Sequence, residues 1–257
     1  MSPNPPVRLA IAGALGRMGQ AVAKTAQGRE DIAVAARFDR PGLDGEGLVS
    51  LADALAAAQV VIDFTTPDAS VALAQAAAAK GAVALVIGST GFSGDHEAAI
   101  RAASAKVAIV KAGNYSLGVN MLMGLVRQAA AALPARDWDI EVFEAHHKRK
   151  VDAPSGTAKM LAQAAADGRG REFKGYAKTD RHDARVEGEI GFSVLRAGGI
   201  IGEHSVTFAS EEESLVLAHS ARDRGLFARG ALAAALWVWN RPPGLYDMQD
   251  VLGFERG

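Results

Sequence analysis

The chain has 257 residues, 49% of them hydrophobic and 22% charged, enough for one large α/β unit or two domains of ordinary size around a substantial core. A formal net charge of -1, from 28 basic and 29 acidic residues, excludes a general nucleic-acid binder and confines any basic patch to a local role. The absence of cysteine removes disulfides, thiolate metal sites and cysteine nucleophiles, and it suits a reducing cytoplasm.

Residues 1–8 are polar and proline-rich, and the first apolar run is broken by Arg8 and Gly13, a poor match to a signal peptide. Residues 7–12 read as a buried strand running into a glycine-rich turn at 13–19 and a helix to Gln27. A second strand, 32–38, ends at Asp39. Helix 51–58, strand 60–64, the stretch Thr65-Thr-Pro67-Asp68 and a helix to Lys80, strand 83–87, helix 95–105 and strand 107–110 follow. Strict alternation of strand and helix predicts a parallel sheet covered on both faces. The alanine-rich runs at 52–58 and 74–79 are too short and too mildly apolar to span a bilayer, so no membrane partner is expected.

The pattern changes after a helix at 119–132. Strands are expected at 140–145, 189–196, 204–209 and 215–220, interrupted by one helix at 157–166. They require a second sheet, mixed or antiparallel, in a second domain. The polar, glycine-bearing stretch 167–187 reads as a long loop, a binding loop or mobile lid. An apolar helix at 226–239 and a short tail close the chain. The fold class is therefore α/β: a Rossmann-like dinucleotide-binding domain with a second α+β domain built on a mixed sheet.

Gly13, Gly16 and Gly19 form G-x-x-G-x-x-G between a strand and a helix, and Asp39 lies twenty residues beyond Gly19 at the end of the next strand. Glycines permit a tight turn and close approach of backbone to a pyrophosphate, and a helix N-terminus favours its charge. Asp39 is placed to accept hydrogen bonds from ribose hydroxyls, which argues for NADH. Arg17, Arg37 and Arg40 are near enough in sequence to hold a 2′-phosphate, so use of both NADH and NADPH is expected. Gly88-Ser89-Thr90 and Ala112-Gly113-Asn114-Tyr115 end later strands on the same sheet edge, where ligands of open α/β sheets bind.

The chemical stretch is 144–157. His146 and His147 fall just past a strand end, and neighbours in an extended chain point opposite ways, so their roles should differ. Histidine is the natural general acid near neutral pH. Pro154-Ser155-Gly156-Thr157 is a helix-start signature, and its amides together with Lys148, Arg149 and Lys150 suit an anionic substrate. Two adjacent histidines lack metal-ligand spacing, so no metal is expected. No nucleophile elbow surrounds Ser155.

The glycine turn, Ile62-Asp-Phe-Thr65, Ile87-Gly-Ser-Thr-Gly-Phe92, Asn114-Tyr-Ser-Leu-Gly-Val-Asn120, Glu144-Ala-His-His147, Lys150-Val-Asp-Ala-Pro-Ser-Gly-Thr-Ala158, Arg196-Ala-Gly-Gly199 and Gly202-Glu-His204 together resemble the bacterial dihydrodipicolinate reductase family, in order over nearly the whole chain. The resemblance implies NAD(P)H-dependent reduction of a cyclic dicarboxylate imine in the diaminopimelate route to lysine. It assigns His146 as proton donor with Lys150 assisting, and His147, Gly156 and Thr157 as holders of substrate carboxylate. It assigns Gly13, Ala14, Leu15, Gly16, Arg17, Met18, Asp39, Arg40, Gly88, Ser89, Thr90, Ala112, Gly113, Asn114 and Tyr115 to the cofactor.

The same resemblance implies a homotetramer formed through the second domain and return of the last helix to the first. The expected domains are 1–117 with 225–257 for dinucleotide, and 118–224 for substrate and oligomerisation, hinged near 116–119 and 223–226. Arg149 stands where the family carries histidine, Thr66 where some members carry a cofactor-contacting arginine, and Asp39 where a longer Glu is found. An amino-acid dehydrogenase of similar architecture, or a nucleotide-binding regulator without catalysis, are the competing functions.

Overall fold

The computed structural model describes residues 5–254 except 41, 44, 46, 174–176, 180 and 181. The first stretch contains β1 (Val7–Ala12), α1 (Arg17–Ala26), β2 (Ile32–Phe38), α2 (Leu51–Ala57), β3 (Val60–Asp63), α3 (Pro67–Lys80), β4 (Ala84–Ile87), α4 (Gly94–Ser104) and β5 (Ala108–Lys111). The middle contains α5 (Leu117–Ala132), β6 (Asp139–His146), α6 (Gly156–Gly168), β7 (Ala177–Lys178), β8 (Ile190–Arg196), β9 (Glu203–Ala209) and β10 (Ser214–Ser220). The chain closes with α7 (Gly225–Val238), β11 (Gly244–Tyr246) and α8 (Met248–Leu252). It divides into two compact units, 1–117 with 225–257 and 118–224.

The first unit is a six-stranded sheet in the order β11-β5-β4-β3-β1-β2, with every pairing parallel. Its central strands are apolar runs buried on both faces, as a helix-covered parallel sheet requires. Alternate residues divide between the two layers. Leu9, Ile11, Ile62 and Val86 join α1 and α7 on one face, while Ala10, Val61, Leu85 and Ile87 join α2, α3 and α4 on the other. Alanines of α3 and α7 let the helix backbones lie close to the sheet: Ala74, Ala77, Ala231 and Ala235 have no exposed surface. The strand order reverses direction between β1 and β3, so their carboxyl ends flank the crevice typical of ligand sites in such sheets.

The second unit is a five-stranded mixed sheet in the order β10-β9-β6-β8-β7. β6 is parallel to β8 and antiparallel to β9, and β10 continues antiparallel to β9. One face carries the core: Ile140, Val142, Ile190, Val206 and Phe208 pack with Leu122 and Val126 of α5 and Leu161, Ala162 and Ala165 of α6. On the opposite face Phe143, Leu195 and Val216 remain exposed. By register Phe143 neighbours Ser193 and Ser205, Leu195 neighbours Ala145, and Val216 neighbours Thr207.

Two sequence expectations are corrected. The closing tail is not bare chain, because Gly244–Tyr246 adds a parallel strand beside β5 and a further helix follows it. The long loop at 167–187 is interrupted by β7, a two-residue strand parallel to β8; residues 174–176, 180 and 181 of that loop lie outside the described residues. Among the described residues no helix is long and apolar enough to cross a membrane.

Candidate active site

In the first unit the site is built from backbone. Gly13 has φ of +66°, a conformation that glycine adopts without strain, and a Cβ there would sit 2.9 Å from Thr65 Cγ2. At Gly19 a Cβ would lie 2.3 Å from the Gly13 carbonyl oxygen, so glycine lets α1 start directly against the turn. Gly16 caps α1 with no side-chain hydrogen bond, which leaves the helix end open to an anion. Ala14 is fully buried, while Leu15, Gly16 and Arg17 are exposed and Met18 is half-buried. Asp39 Oδ2 accepts from the Leu15 amide at 3.0 Å and Oδ1 from the Arg40 amide at 2.9 Å. Its carboxylate thus ties the end of β2 to the glycine turn, with lone pairs left over for ribose hydroxyls. An open helix end, a turn that Cβ atoms would fill and an acidic residue beside it fit a dinucleotide.

The later turns are ordered from beneath by a buried carboxylate. Asp63, fully buried at the end of β3, accepts from the Thr65 amide at 2.9 Å and from the Ser70 hydroxyl at 2.5 Å; the Ser70 oxygen lies 2.9 Å from that of Ser89. Burial raises the Asp63 pKa, with the hydroxyl and amide contacts opposing that shift. Gly88 is required because a Cβ would overlap the Phe64 ring. Thr90 and Gly113 are exposed and Ala112 is half-buried, and Asn114 Oδ1 accepts from the Ser116 amide at 2.8 Å. The Tyr115 side chain turns into the core, its hydroxyl within 2.9 Å of the Ile87 carbonyl and 3.0 Å of the Val110 carbonyl. Burial pushes that phenol well above its ordinary pKa. Ser89 and Tyr115 therefore support the turns with side chains that face inward.

In the second unit the site is built from charge. His146 is the last residue of β6, two positions after Glu144, so both side chains leave the same face of the strand. Glu144 has no exposed surface. His146 Nδ1 lies 2.6 Å from its Oε2, and Arg196 reaches both carboxylate oxygens at 2.7 Å. The Ser155 amide donates to Oε1 at 2.9 Å. Burial alone would raise the Glu144 pKa, but the Arg196, His146 and Ser155 contacts outweigh it and hold the carboxyl below its ordinary value.

Ser155 also caps α6 by accepting from the Ala158 amide, and its hydroxyl lies 3.3 Å from His204 Nε2. The His204 ring meets that of His146 edge-on, with centroids 5.1 Å apart. Burial, with the charge of His146 adding to it, lowers the His204 pKa to about 4. Gly156 and Thr157 open α6 immediately after the cap. His147 faces away from Glu144, and its Nδ1 has no hydrogen-bond partner among the described residues; desolvation and the charges of Arg149 and Arg224 lower its pKa. Lys150 pairs with Asp152 at 2.9 Å, and its charge is felt at His204. Lys148 and Arg149 are exposed. Among the described residues no group of acidic, histidine or cysteine side chains has the arrangement of a metal site.

Sequence reasoning missed Glu144, Arg196, His204 and Gly202 as parts of this cluster. The spacing of Glu144 and His146 was a readable signal, since i and i+2 share a face on a strand. Arg196 and His204 become neighbours of His146 only through the pairing of β6 with β8 and β9.

A parallel nucleotide-type sheet joined in one chain to a mixed sheet bearing a carboxylate-braced histidine is the plan of a nicotinamide-dependent oxidoreductase. Residues 7–115 match the family model described as dihydrodipicolinate reductase, N-terminus, and residues 118–252 the one described as dihydrodipicolinate reductase, C-terminus. The chain belongs to the dihydrodipicolinate reductase family. It is 68% identical to the 4-hydroxy-tetrahydrodipicolinate reductase of Caulobacter vibrioides, covering 98% of this chain and 99% of that one. Identity to the enzyme of the same name from Rhizobium rhizogenes is 48%, over 96% and 97%. The structure of dipicolinate-bound dihydrodipicolinate reductase from Paenisporosarcina sp. TG-14 shares the fold, with a TM-score of 0.79 at 24% identity over 95% and 98% of the two chains.

Proposed function

We propose that this chain catalyses the NAD(P)H-dependent reduction of 4-hydroxy-tetrahydrodipicolinate to tetrahydrodipicolinate, a step of the diaminopimelate route to lysine. The observation that carries this reading is the Glu144–His146 pair beside the N-terminus of α6, in a chain 68% identical over its length to a reductase of that name. Gly13, Ala14, Leu15, Gly16, Arg17 and Met18 with Asp39, Arg40 and the turns at 88–90 and 112–115 hold the cofactor. Bound reduced nicotinamide supplies the hydride.

His147, Gly156 and Thr157 bind substrate carboxylate, with the helix N-terminus favouring the anion. His146 delivers the proton taken up by the substrate's enamine, and Lys150 assists with its charge. Asp39 favours NADH, and the exposed Arg40 supports acceptance of NADPH as well. The uncovered apolar face at Phe143, Leu195 and Val216 supports assembly through the second unit, as a homotetramer. The cysteine-free composition supports a cytoplasmic setting.

The test generates substrate in situ from pyruvate and aspartate semialdehyde with the preceding synthase, and follows oxidation of NADH and NADPH. Substrate-dependent oxidation of both is expected. Cofactor binding without turnover would instead indicate a regulator, and turnover confined to 2-oxo acids with ammonia an amino-acid dehydrogenase.

A further inference from the structure

We propose that Glu144 is a positioning residue that fixes which nitrogen of His146 delivers the proton, and that Gly202 keeps that nitrogen clear; the proposal rests on the reading of His146 as the acid. The Glu144 carboxylate takes four donors. Oε2 faces His146 Nδ1 at 2.6 Å and Arg196 Nη1 at 2.7 Å, while Oε1 accepts from the Ser155 amide at 2.9 Å and Arg196 Nη2 at 2.7 Å. An ionised carboxylate accepts and never donates. His146 Nδ1 must therefore carry hydrogen whether the ring is neutral or cationic, and the proton that leaves is the one on Nε2.

Arg196 completes the device. Its paired contacts keep the carboxylate ionised, so Glu144 orients the imidazole without taking its proton. Arg196 is itself held by the Asp152 carbonyl at 2.6 Å. On the other side of the ring, a Cβ at position 202 would come within 3.3 Å of Nε2. Gly202 is buried, so its lack of a side chain leaves room at the delivering atom. Glutamine at 144 would preserve shape but not polarity. Its amino group would meet either His146 Nδ1 and Arg196 Nη1, or the Ser155 amide and Arg196 Nη2, donor against donor. The first arrangement forces the opposite tautomer on His146.

The test is nitrogen NMR of the full-length protein labelled at histidine, above the pH at which His146 loses its charge, with its signal assigned by loss in His146→Gln. The neutral ring should carry its proton on Nδ1 in the wild type and shift towards the Nε2-protonated form in Glu144→Gln. An Nε2-protonated wild type overturns the proposal without need of a folded variant. Glu144→Gln should lower kcat by about ten- to a hundredfold with KM for NADH nearly unchanged. Combined with His146→Gln it should add less than about twofold, since a group acting through His146 has nothing left to position. A full additional loss in the double variant overturns the proposal. Gly202→Ala should lower kcat about tenfold with the tautomer unchanged, and wild-type turnover there overturns the part given to Gly202. Near-normal turnover of His146→Gln removes the underlying reading instead, an outcome the tautomer measurement keeps separate.

Discussion

Asp63 and Glu144 are both fully buried, yet they are held by opposite means. Asp63, in the nucleotide unit, meets two hydroxyls and an amide, and burial raises its pKa. Glu144, in the second unit, meets a guanidinium, an imidazole and an amide, and these lower its pKa against the cost of burial. The contrast extends to the two sites. One is a backbone shape kept by glycines and neutral contacts around a ligand that brings its own charge. The other is an arrangement of fixed charges around an imidazole.

The largest expected effect separates the two by chemistry. His146→Gln and Lys150→Ala should each lower turnover by about two orders of magnitude or more while leaving NADH affinity, read by fluorescence titration, as in the wild type. Near-normal rates in both would abolish the distinction drawn between the sites. Gly13→Val and Gly19→Val should do the reverse: NADH affinity falls about tenfold or more through overpacking of the turn. KM for the substrate generated in situ, measured at saturating NADH, should be nearly unchanged; a large rise would show that the two sites are not independent.

Acid should sharpen the contrast by sign. A lowered folded pKa makes the Glu144 contribution fully present above the ordinary value of 4.5, and lost as pH falls through the folded value. A raised folded pKa makes the Asp63 contribution fully present below the ordinary 3.8, and lost as pH rises through the folded value. Hydrogen exchange on acidification should show amides of β3 gaining protection and those of β6 losing it. Parallel loss in both would contradict the assignment. The smallest effect is Ser50→Ala, which removes the hydroxyl that accepts from the Asp53 amide at 3.1 Å. It should cost about 1 kcal/mol in thermal unfolding with no change in turnover.

Much of the fold was legible because both units follow simple periodicities. Strands 7–12 and 32–38 have the limits that the residues predict. Most other elements differ by one or two residues at an end, where hydrogen bonding rather than pattern sets the limit. β11 and β7 were not legible: three and two residues long, they carry no period and exist because a neighbouring edge offers them pairs. In the site, His146 and the helix start at Ser155 could be found from local pattern. Arg196 could not, since its approach to Glu144 spans 52 residues of chain and depends on strand register. Tyr115 shows a further limit of local pattern: its place in a turn was readable, but not that its ring is a core member.

The split of the first unit, completed only by residues 225–257, has a consequence for synthesis. The second unit is continuous in the chain and can fold as soon as it leaves the ribosome. The first must wait, because Ala231, Leu232 and Val238 of α7 supply one wall of its core and β11 its last strand. During that interval the part of the sheet face that α7 covers stays bare beside α1, which leaves the nascent nucleotide unit the part more exposed to aggregation.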